Sequence, residues 1–275
     1  MKVKQLLQQA TKQLQAHSDV AALEARLLLG FVLQRDCLAL LLKDEEVITS
    51  QQRELFEQML AKRKQGVPLA YLVGRKSFWS LELQVNTQVL IPRPETELLV
   101  EAALMLLPHD EARQVADLGT GSGAIALALA RECPAWSVVA VDNAEKALEV
   151  AQTNAGLNGI KNVRFVQSDW FAALAHQRFH LILSNPPYLA EDDPHLPALS
   201  DEPRQALVSG KTGLEALTEL VECAVEHLYP GGSLLLEHGF SQGAAVRDLL
   251  VLNGYREVRS VKDLAGHERI TIGVF

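Results

Sequence analysis

Two patterns of apolar and polar residues divide the chain near residue 75. Before this point, apolar side chains repeat at helical spacing; after residue 113, short apolar runs alternate with helical stretches. The runs that predict strands cover residues 114–118, 137–141, 163–167, 179–183, 233–237 and 269–274. Strands that alternate with helices predict an α/β domain in which helices cover a parallel sheet.

The first 75 residues predict a small helical domain. Apolar side chains at helical spacing predict helices near residues 6–14, 20–31 and 55–60. We expect Ser18 or Asp19 to cap the second of these helices. Thr49 or Ser50 is expected to cap the last one. No His, Asp and Glu constellation at catalytic spacing occurs here, so the domain either recognises a partner or, with equal support, only stabilises the protein.

Residues 76–95 predict a connection that combines a β-hairpin with a proline-rich strap. Residues 78–85 partly alternate between apolar and polar side chains, and residues 88–91 continue in the same manner after a short turn. This pattern predicts that the two segments pair as a hairpin. The α/β domain is then expected to cover residues 96–275.

The strap is the segment Ile91-Pro92-Arg93-Pro94-Glu95-Thr96. Pro94 suits the first turn of the helix that follows, because it needs no N–H donor there. Two prolines on either side of Arg93 make the segment stiff. It either lies over a cofactor pocket, with Arg93 and Glu95 fixed in place, or only separates two elements.

Length and composition indicate a globular protein without a membrane span. The chain has 275 residues, 48% of them hydrophobic, and its apolar runs are shorter than the ~18 residues that suggest a span. The first residues predict an amphipathic helix and no signal peptide, so we expect a cytoplasmic protein. Cys37, Cys133 and Cys223 are far apart in apolar surroundings, which predicts reduced packing residues with no disulfide or metal role.

Charge is unevenly distributed along the chain. Residues 1–90 carry 12 Lys and Arg against 9 Asp and Glu, whereas the remainder carries 14 against 25. A segment this negative repels nucleic acid unless a basic patch intervenes. The charge pattern therefore disfavours DNA or RNA as a direct partner.

A glycine-rich turn follows the first strand of the predicted sheet. Gly119-Thr120-Gly121-Ser122-Gly123 separates that strand from a helix, and Asp142 ends the second strand about twenty residues later. Glycines let the backbone approach a ligand closely, and the carboxylate can accept from two ribose hydroxyls. The pair fits a dinucleotide as well as S-adenosylmethionine. Asp117, just before the turn, suits an ammonium group and equally suits a hydrogen bond to the loop backbone.

Two further strand ends carry candidate binding residues. Ser168-Asp169-Trp170 follows the third strand, where Trp170 can pack on an adenine ring or belong to the core. Asn185 follows the fourth strand. The carboxyl ends of parallel strands share one edge of the sheet. We therefore expect the glycine turn, Asp142, Trp170 and Asn185 to meet at one site.

The turn Asn185-Pro186-Pro187-Tyr188 fits a planar NH2 group. Residue 186 precedes a proline and is pushed into an extended conformation, while Pro187 has no N–H, so the turn is stiff and presents carbonyl oxygens. The Asn185 side-chain oxygen and the Pro186 carbonyl can accept the two hydrogens, and Tyr188 can pack on the plane of the group. Amide nitrogens are poor nucleophiles. Alignment with a methyl group and its leaving sulfur is therefore the expected source of catalysis, by direct in-line transfer.

These motifs resemble class I, S-adenosylmethionine-dependent amino-methyltransferases. The glycine loop, Asp142 and residues 185–188 carry this resemblance. Further features make the whole chain similar to the peptide chain release factor glutamine methyltransferases: the helical N-terminal domain, residues 91–96, Glu202-Pro203 before Ala206-Leu207, and Gly266-His267-Glu268-Arg269. The resemblance implies a Rossmann-like, mostly parallel sheet with an antiparallel closing strand.

The same resemblance implies an activity and a set of site residues. This family methylates the side-chain amide nitrogen of the glutamine in the Gly-Gly-Gln motif of class 1 release factors. Cofactor contacts are expected from Gly119, Thr120, Gly121, Ser122, Gly123, Asp142, Trp170 and Asn185. Substrate contacts are expected from Asn185, Pro186, Pro187 and Tyr188, with Asn185, Pro186 and Tyr188 as the catalytic group. We expect a monomer that binds a release factor and S-adenosylmethionine, but no metal.

One segment departs from the family pattern. The family often has an aromatic residue before Glu202-Pro203, whereas this chain has Asp201. The wall of the substrate pocket is therefore less well defined by the resemblance at this point. Residues 191–212 contain several prolines and little periodicity, and we expect them to form a flap that grips the substrate.

Three alternative functions remain compatible with the residues. An amino-methyltransferase acting on adenine or guanine of DNA or RNA can share the Asn-Pro-Pro-Tyr turn, because these bases present a similar conjugated NH2 group. A nicotinamide oxidoreductase explains the glycine loop but leaves residues 185–188 without a role. A non-catalytic module that binds the cofactor and a partner is the third.

Overall fold

The structure, a computed structural model, describes residues 2–35, 40 and 46–275. It divides into two compact units, Met1–Arg75 and Lys76–Phe275. Among the described residues, the helices of the first unit are α1 (Val3–Leu14), α2 (Ala21–Leu33), α3 (Ser50–Lys64) and α4 (Leu69–Val73). The three predicted helices are all present, and each is longer than its apolar pattern indicates.

Local sequence explains where these helices begin. Thr49 is the N-cap of α3: its hydroxyl accepts from the Gln52 N–H at 3.2 Å, and the Gln52 side-chain oxygen accepts from the Thr49 N–H at 2.9 Å. This reciprocal pair satisfies two of the N–H groups that a helix start leaves free. Val20 occupies the N-cap position of α2, so the predicted cap by Ser18 or Asp19 is wrong. Ser18 instead accepts a hydrogen bond from the Val20 N–H in the preceding turn, at 3.2 Å.

The hairpin forms earlier in the chain than its sequence pattern predicts. β1 (Arg75–Phe78) pairs with β2 (Leu81–Gln84), so the expected pairing of residues 78–85 with 88–91 is wrong. Trp79 and Ser80 form the turn, with Trp79 at a φ of +54°. Two-residue hairpin turns need such a positive φ. The sequence has no glycine at this turn, so the pattern does not predict it.

The second unit is organised around a seven-stranded sheet of order β5-β4-β3-β6-β7-β9-β8. Its strands are β3 (Gln114–Leu118), β4 (Ser137–Asp142), β5 (Val163–Gln167), β6 (Phe179–Ser184), β7 (Leu228–Glu237), β8 (Arg256–Lys262) and β9 (Glu268–Val274). Neighbours from β5 to β7 are parallel, whereas β9 is antiparallel to both β7 and β8. The predicted fold class is therefore confirmed.

Helices cover both faces of this sheet. Those of the second unit, within the described chain, are α5 (Glu97–Leu106), α6 (Ala124–Glu132), α7 (Glu145–Leu157), α8 (Glu215–His227) and α9 (Gly243–Leu252). Alternate residues of a strand enter opposite cores: Val138 and Ala140 of β4 pack in one, Val139 and Val141 in the other. Because both faces are buried, the central strands β4, β6 and β7 contain continuous apolar runs, as in other parallel sheets.

The structure tests two expectations from composition: that the cysteines are packing residues and that the chain has no membrane span. Cys133 is buried, as expected, but Cys223 is exposed on α8, so its predicted packing role is wrong. The helical spacing of α8 places residue 223 on the solvent side, between buried Val221 and Ala224. Cys37 lies outside the described residues. Every helix in the described part of the chain is too short or too polar to cross a membrane.

Candidate active site

A cleft opens at the carboxyl end of β3, where the strand order reverses. β4 and β6 lie on either side of β3, so the connections that leave these strands diverge and leave a crevice. The cleft includes about 780 Å³ of space with its open mouth. It is lined by Gln88, Val89, Leu90, Gly119, Gly121, Val141, Asp142, Asn143, Ala144, Ala147, Ser168, Asp169, Trp170, Asn185, Pro187, Pro203, Gln205 and Ala206.

The glycine loop forms the floor of this cleft. Gly119, Gly121 and Gly123 have φ values of +73°, +55° and +84°, which side chains rarely tolerate. A Cβ on Gly123 would also lie 3.0 Å from Leu127 Cδ1. The Thr120 N–H donates to the Val141 carbonyl at 2.8 Å and ties the loop to the end of β4. The loop is therefore a fixed turn in which only Gly119 and Gly121 are partly exposed.

Asp117 is buried beneath the loop. Its Oδ2 atom accepts from the Thr120 hydroxyl at 2.6 Å and from the Ala126 N–H at 3.1 Å. Its Oδ1 atom has no hydrogen-bond partner among the described residues. Burial raises the pKa of this carboxyl to about 6, and the Asp142 charge adds a smaller increase. Oδ2 of Asp117 therefore bonds the loop, as one of the two expected roles requires. Oδ1 has no partner among the described residues and is left for the other expected role, a bond to an ammonium group.

Asp142 closes the cleft beside the glycine loop. Its Oδ2 atom accepts from the Gly121 N–H at 2.8 Å, and its Oδ1 atom accepts from the Ala144 N–H at 3.0 Å. Burial raises the pKa of the carboxyl, and the backbone donors partly offset this increase. Each oxygen keeps a lone pair for a hydroxyl group in the cleft.

Trp170 stands over the loop from the turn after β5. A Cβ on Gly119 would lie 3.5 Å from Trp170 Cζ3, so the ring packs close to the glycine. Trp170 has a φ of +39°, an unusual conformation for a large residue. Strain of this kind concentrates at ligand sites. The ring packs against the core and also lines the cleft, so Trp170 has the position that either of its two expected roles requires.

The proline turn reaches the same cleft from the end of β6. Asn185 and Pro187 line the cleft. The Asn185 Nδ2 atom donates to the Thr96 hydroxyl oxygen at 3.2 Å. Tyr188 is half-buried, and burial, followed by the neighbouring Glu237 charge, raises the pKa of its hydroxyl.

The structure brings together only part of the predicted set. Gly119, Gly121, Asp142, Trp170, Asn185 and Pro187 line one cleft. Thr120, Ser122, Gly123, Pro186 and Tyr188 do not line it. Thr120 and Ser122 are buried beneath the loop, where the Thr120 hydroxyl bonds Asp117 and the Ser122 carbonyl accepts from Asn154 Nδ2 at 2.8 Å.

Residues to which the sequence analysis assigns no site role surround the proline turn. Thr96 and Glu237 are 4% and 2% exposed and lie next to Asn185 and Tyr188. Gln242 Nε2 donates to the Tyr188 carbonyl at 3.0 Å. A signal for Glu237 does exist: a carboxylate ends an apolar strand at the edge where the other site residues lie.

Two segments cover the cleft. Residues 88–90 form one side, and Pro203, Gln205 and Ala206 form the other. Glu202 joins these segments, because its Oε2 atom accepts from the Ile91 N–H at 3.0 Å and its Oε1 atom bonds the Arg93 guanidinium. The strap is thus anchored to the segment predicted as a flap, which contains two short 3-10 turns, Leu196–Leu199 and Arg204–Ala206.

Comparison with known proteins identifies the family. The family model "Methyltransferase small domain" matches residues 94–246, and the "PrmC N-terminal domain" model matches residues 5–74. The chain is 44% identical over 275 residues to the release factor glutamine methyltransferase of Escherichia coli strain K12, with 99% of each chain covered. It is 43% identical over 272 residues to that of Coxiella burnetii, with 99% of this chain and 98% of the relative covered.

A solved structure is similar in fold. The crystal structure of a methyltransferase from Pyrococcus furiosus superposes with a TM-score of 0.54 at 19% identity, over 82% of this chain and 98% of that chain. The family models and the full-length relatives all point to the same family. This chain belongs to the release factor glutamine methyltransferase family.

Proposed function

We propose that this protein transfers the methyl group of S-adenosylmethionine to the side-chain amide nitrogen of the glutamine in the Gly-Gly-Gln motif of class 1 peptide chain release factors. Family membership supports this substrate. The observation that carries the chemistry is one cleft lined both by Gly119 and Gly121 and by Asn185 and Pro187. A methyl donor and a planar amide fit side by side in such a cleft.

The residues around the cleft fit S-adenosylmethionine. Asp142 keeps free lone pairs for the ribose hydroxyls, and Trp170 offers an aromatic face to adenine. The free Oδ1 atom of Asp117 is a buried acceptor that suits the ammonium of the methionine part. A pyrophosphate would be repelled by Asp117 and Asp142 together, which favours this cofactor over a dinucleotide.

The proline turn supplies the acceptors that a glutamine amide needs. Asn185 Oδ1 and the Pro186 carbonyl oxygen accept the two hydrogens of the substrate NH2 group, and Tyr188 packs on the amide plane. The bound cofactor supplies an electrophilic methyl group. Because the amide nitrogen is a poor nucleophile, the contribution of the chain is to align it for direct in-line transfer and to exclude water, which can supply several kcal/mol.

A label-transfer assay tests this proposal. We expect tritium from methyl-labelled S-adenosylmethionine to enter an intact release factor, and peptide mass mapping to place one methyl group on the Gly-Gly-Gln glutamine. A release factor carrying Gly-Gly-Ala is the matched substrate control and should take up no label. Transfer to the Gly-Gly-Ala protein, or to another residue, contradicts the proposed site of methylation.

The same assay separates the alternatives. DNA or RNA that takes up label while the release factor does not would show a nucleic-acid methyltransferase. Cofactor binding without label in any substrate would show a binding module. Quenching or enhancement of nicotinamide fluorescence would show a dinucleotide site. We also propose that the protein is a cytoplasmic monomer; light scattering of the purified chain checks the monomeric state.

The helical unit is proposed to contact the release factor outside the Gly-Gly-Gln motif. Leu23, Leu27 and Phe31 form an exposed apolar stripe on α2 at 45%, 36% and 36% exposure, and exposed apolar stripes often mark interaction sites. Leu23→Ser with Leu27→Ser should raise KM for the intact release factor about tenfold and leave transfer to a short Gly-Gly-Gln peptide unchanged. Leu157→Ser, on α7, is the exposed control. An unchanged KM refutes this role.

A further inference from the structure

A buried carboxyl group lies beside the proline turn. Glu237 ends β7 and is 2% exposed, and its Oε2 atom has no hydrogen-bond partner among the described residues. Leu236 of β7 pairs with Ser184 of β6, so Glu237 and Asn185 emerge side by side at the edge of the cleft. The Gly-rich loop and the cofactor cleft do not explain this carboxylate.

Two hydroxyl groups face this carboxyl. Hydrogen bonding by Thr96 lowers the pKa of Glu237, as do the Arg269 charge and, to a smaller extent, Tyr188, whereas the Glu95 charge raises it. Burial outweighs these partners and raises the pKa of Glu237 to about 7. Thr96 is itself buried, at 4% exposure, and its oxygen accepts from Asn185 Nδ2 at 3.2 Å. Glu237, Thr96 and Asn185 therefore form a chain of neighbouring polar groups, in which Asn185 donates to Thr96.

Hydrogen-bond polarity fixes the direction of this chain. An ionised carboxylate only accepts, so a Thr96 hydroxyl that bonds Glu237 donates its single proton to it. The Thr96 oxygen can then only accept from Asn185, which turns the Nδ2 atom of the amide towards Thr96. No described residue donates to Asn185 Oδ1. The amide oxygen is thus left available for a donor in the cleft.

We propose that Glu237 is a positioning residue that acts through Thr96 to hold the Asn185 amide with its oxygen towards the substrate NH2 group. This inference rests on the proposed function, in which Asn185 Oδ1 accepts a hydrogen of the glutamine amide. A reversed chain would present the Asn185 NH2 group to another NH2 group. Two donors cannot bond each other, so a reversed amide repels the substrate.

Two matched variants of Thr96 test the middle of this hydrogen-bond chain. Thr96→Val removes the hydroxyl and keeps the shape, whereas Thr96→Ser keeps the hydroxyl. We expect Thr96→Val to lower kcat for release factor methylation at least about tenfold, and Thr96→Ser to retain most of it. The affinity for S-adenosylmethionine, measured by calorimetry, should stay within about twofold in both variants, since Thr96 does not line the cofactor cleft.

Glu237→Gln tests the start of the chain. Its amide can donate to Thr96 and reverse the polarity, so we expect a loss of kcat similar to that of Thr96→Val. Thr271→Val is the control for losing a buried hydroxyl of the same sheet, since Thr271 is fully buried and bonds His238 at 2.8 Å. Its kcat should stay within about twofold of the wild type.

The outcomes separate this inference from the proposed function. If folded Thr96→Val and Thr96→Ser have equal kcat values, the proposed role of Thr96 and Glu237 is overturned. This result is decisive even where Glu237→Gln fails to fold. A wild type that transfers no methyl to release factor refutes the proposed function instead. In that case the 15N resonance of the Asn185 side-chain amide tests the Asn185–Thr96 link, because this measurement needs no methyl transfer. That resonance should move in Thr96→Val and stay in Thr271→Val; an unmoved resonance also overturns the inference.

Discussion

Asp117 offers a test in which stability and cofactor binding are expected to change in opposite directions. The carboxyl is fully buried, with one oxygen held by Thr120 and Ala126 and the other without a partner among the described residues. Asp117→Asn keeps the size of the side chain and one acceptor oxygen. It removes the negative charge that burial disfavours.

The magnitude follows from the raised pKa. The carboxyl titrates near its ordinary value of 3.8 in the unfolded chain and near 6 in the folded one. Between these values the folded state binds more protons, so the free energy of unfolding falls as pH rises, and the loss is complete above about pH 6. Two pH units correspond to about 3 kcal/mol. This is the upper limit of what ionised Asp117 costs the folded protein.

Urea unfolding of the cofactor-free protein measures this cost. We expect Asp117→Asn to raise the free energy of unfolding by about 1–3 kcal/mol at pH 8, and by about half as much at pH 5. Exposed Asp110→Asn is the control and should change it by only a few tenths of a kcal/mol. Calorimetry at pH 8 should show that Asp117→Asn weakens S-adenosylmethionine binding about tenfold or more, because an ammonium loses its partner.

Two results would refute this reasoning separately. A stability difference that is the same at pH 5 and pH 8 means that the buried charge is not its origin. An unchanged affinity for S-adenosylmethionine means that Asp117 does not face the ammonium, and that its carboxyl serves only the loop.

Three other predictions concern the cleft. Asn185→Ala should lower kcat about a hundredfold without loss of folding, and near-normal turnover argues against its role. Asp142→Ala should raise the Kd for S-adenosylmethionine at least about tenfold; an unaltered Kd removes the ribose assignment. The kcat of the wild type should rise with pH through about 7, the pKa of Glu237, because protonated Glu237 can donate to Thr96, and Glu237→Gln should abolish this rise.

The sheet and its functional edge were predictable because the strands are buried on both faces. Continuous apolar runs such as residues 137–141 need no partner information to be recognised. Each run also ends in a residue of a different kind: a glycine after β3, Asp142 in β4, Asn185 after β6. Since parallel strands end on one edge, a shared site follows from the sequence alone.

Other features depend on contacts that periodicity does not encode. The hairpin register rests on the positive φ of Trp79, a residue type that gives no turn signal. The role of Thr96 depends on β7 lying next to β6, and neither strand order nor a carboxylate from residue 237 can be inferred from the segment around residue 96. The exposure of Cys223 depends on which face of α8 meets the sheet.

The stiffness of the proline turn has a second origin beyond its two prolines. Prolines restrict φ within the turn but do not fix its direction. Gln242 Nε2 donates to the Tyr188 carbonyl at 3.0 Å and to the Gly213 carbonyl at 3.1 Å, while its Oε1 atom accepts from the Gly239 N–H at 2.8 Å. A Cβ on Gly213 would lie 2.5 Å from the Tyr188 carbonyl oxygen, so only glycine permits this approach.

The carbonyl and the hydroxyl of Tyr188, at the end of the proline turn, therefore both contact the part of the fold around the end of β7. Gln242 fixes the Tyr188 carbonyl from the segment after β7, and Glu237, the last residue of β7, faces the Tyr188 hydroxyl and Thr96. A site for a poor nucleophile depends on alignment, which is lost by small displacements. The strand next to β6 thus supplies what the prolines cannot, a fixed position for the turn relative to the cofactor cleft.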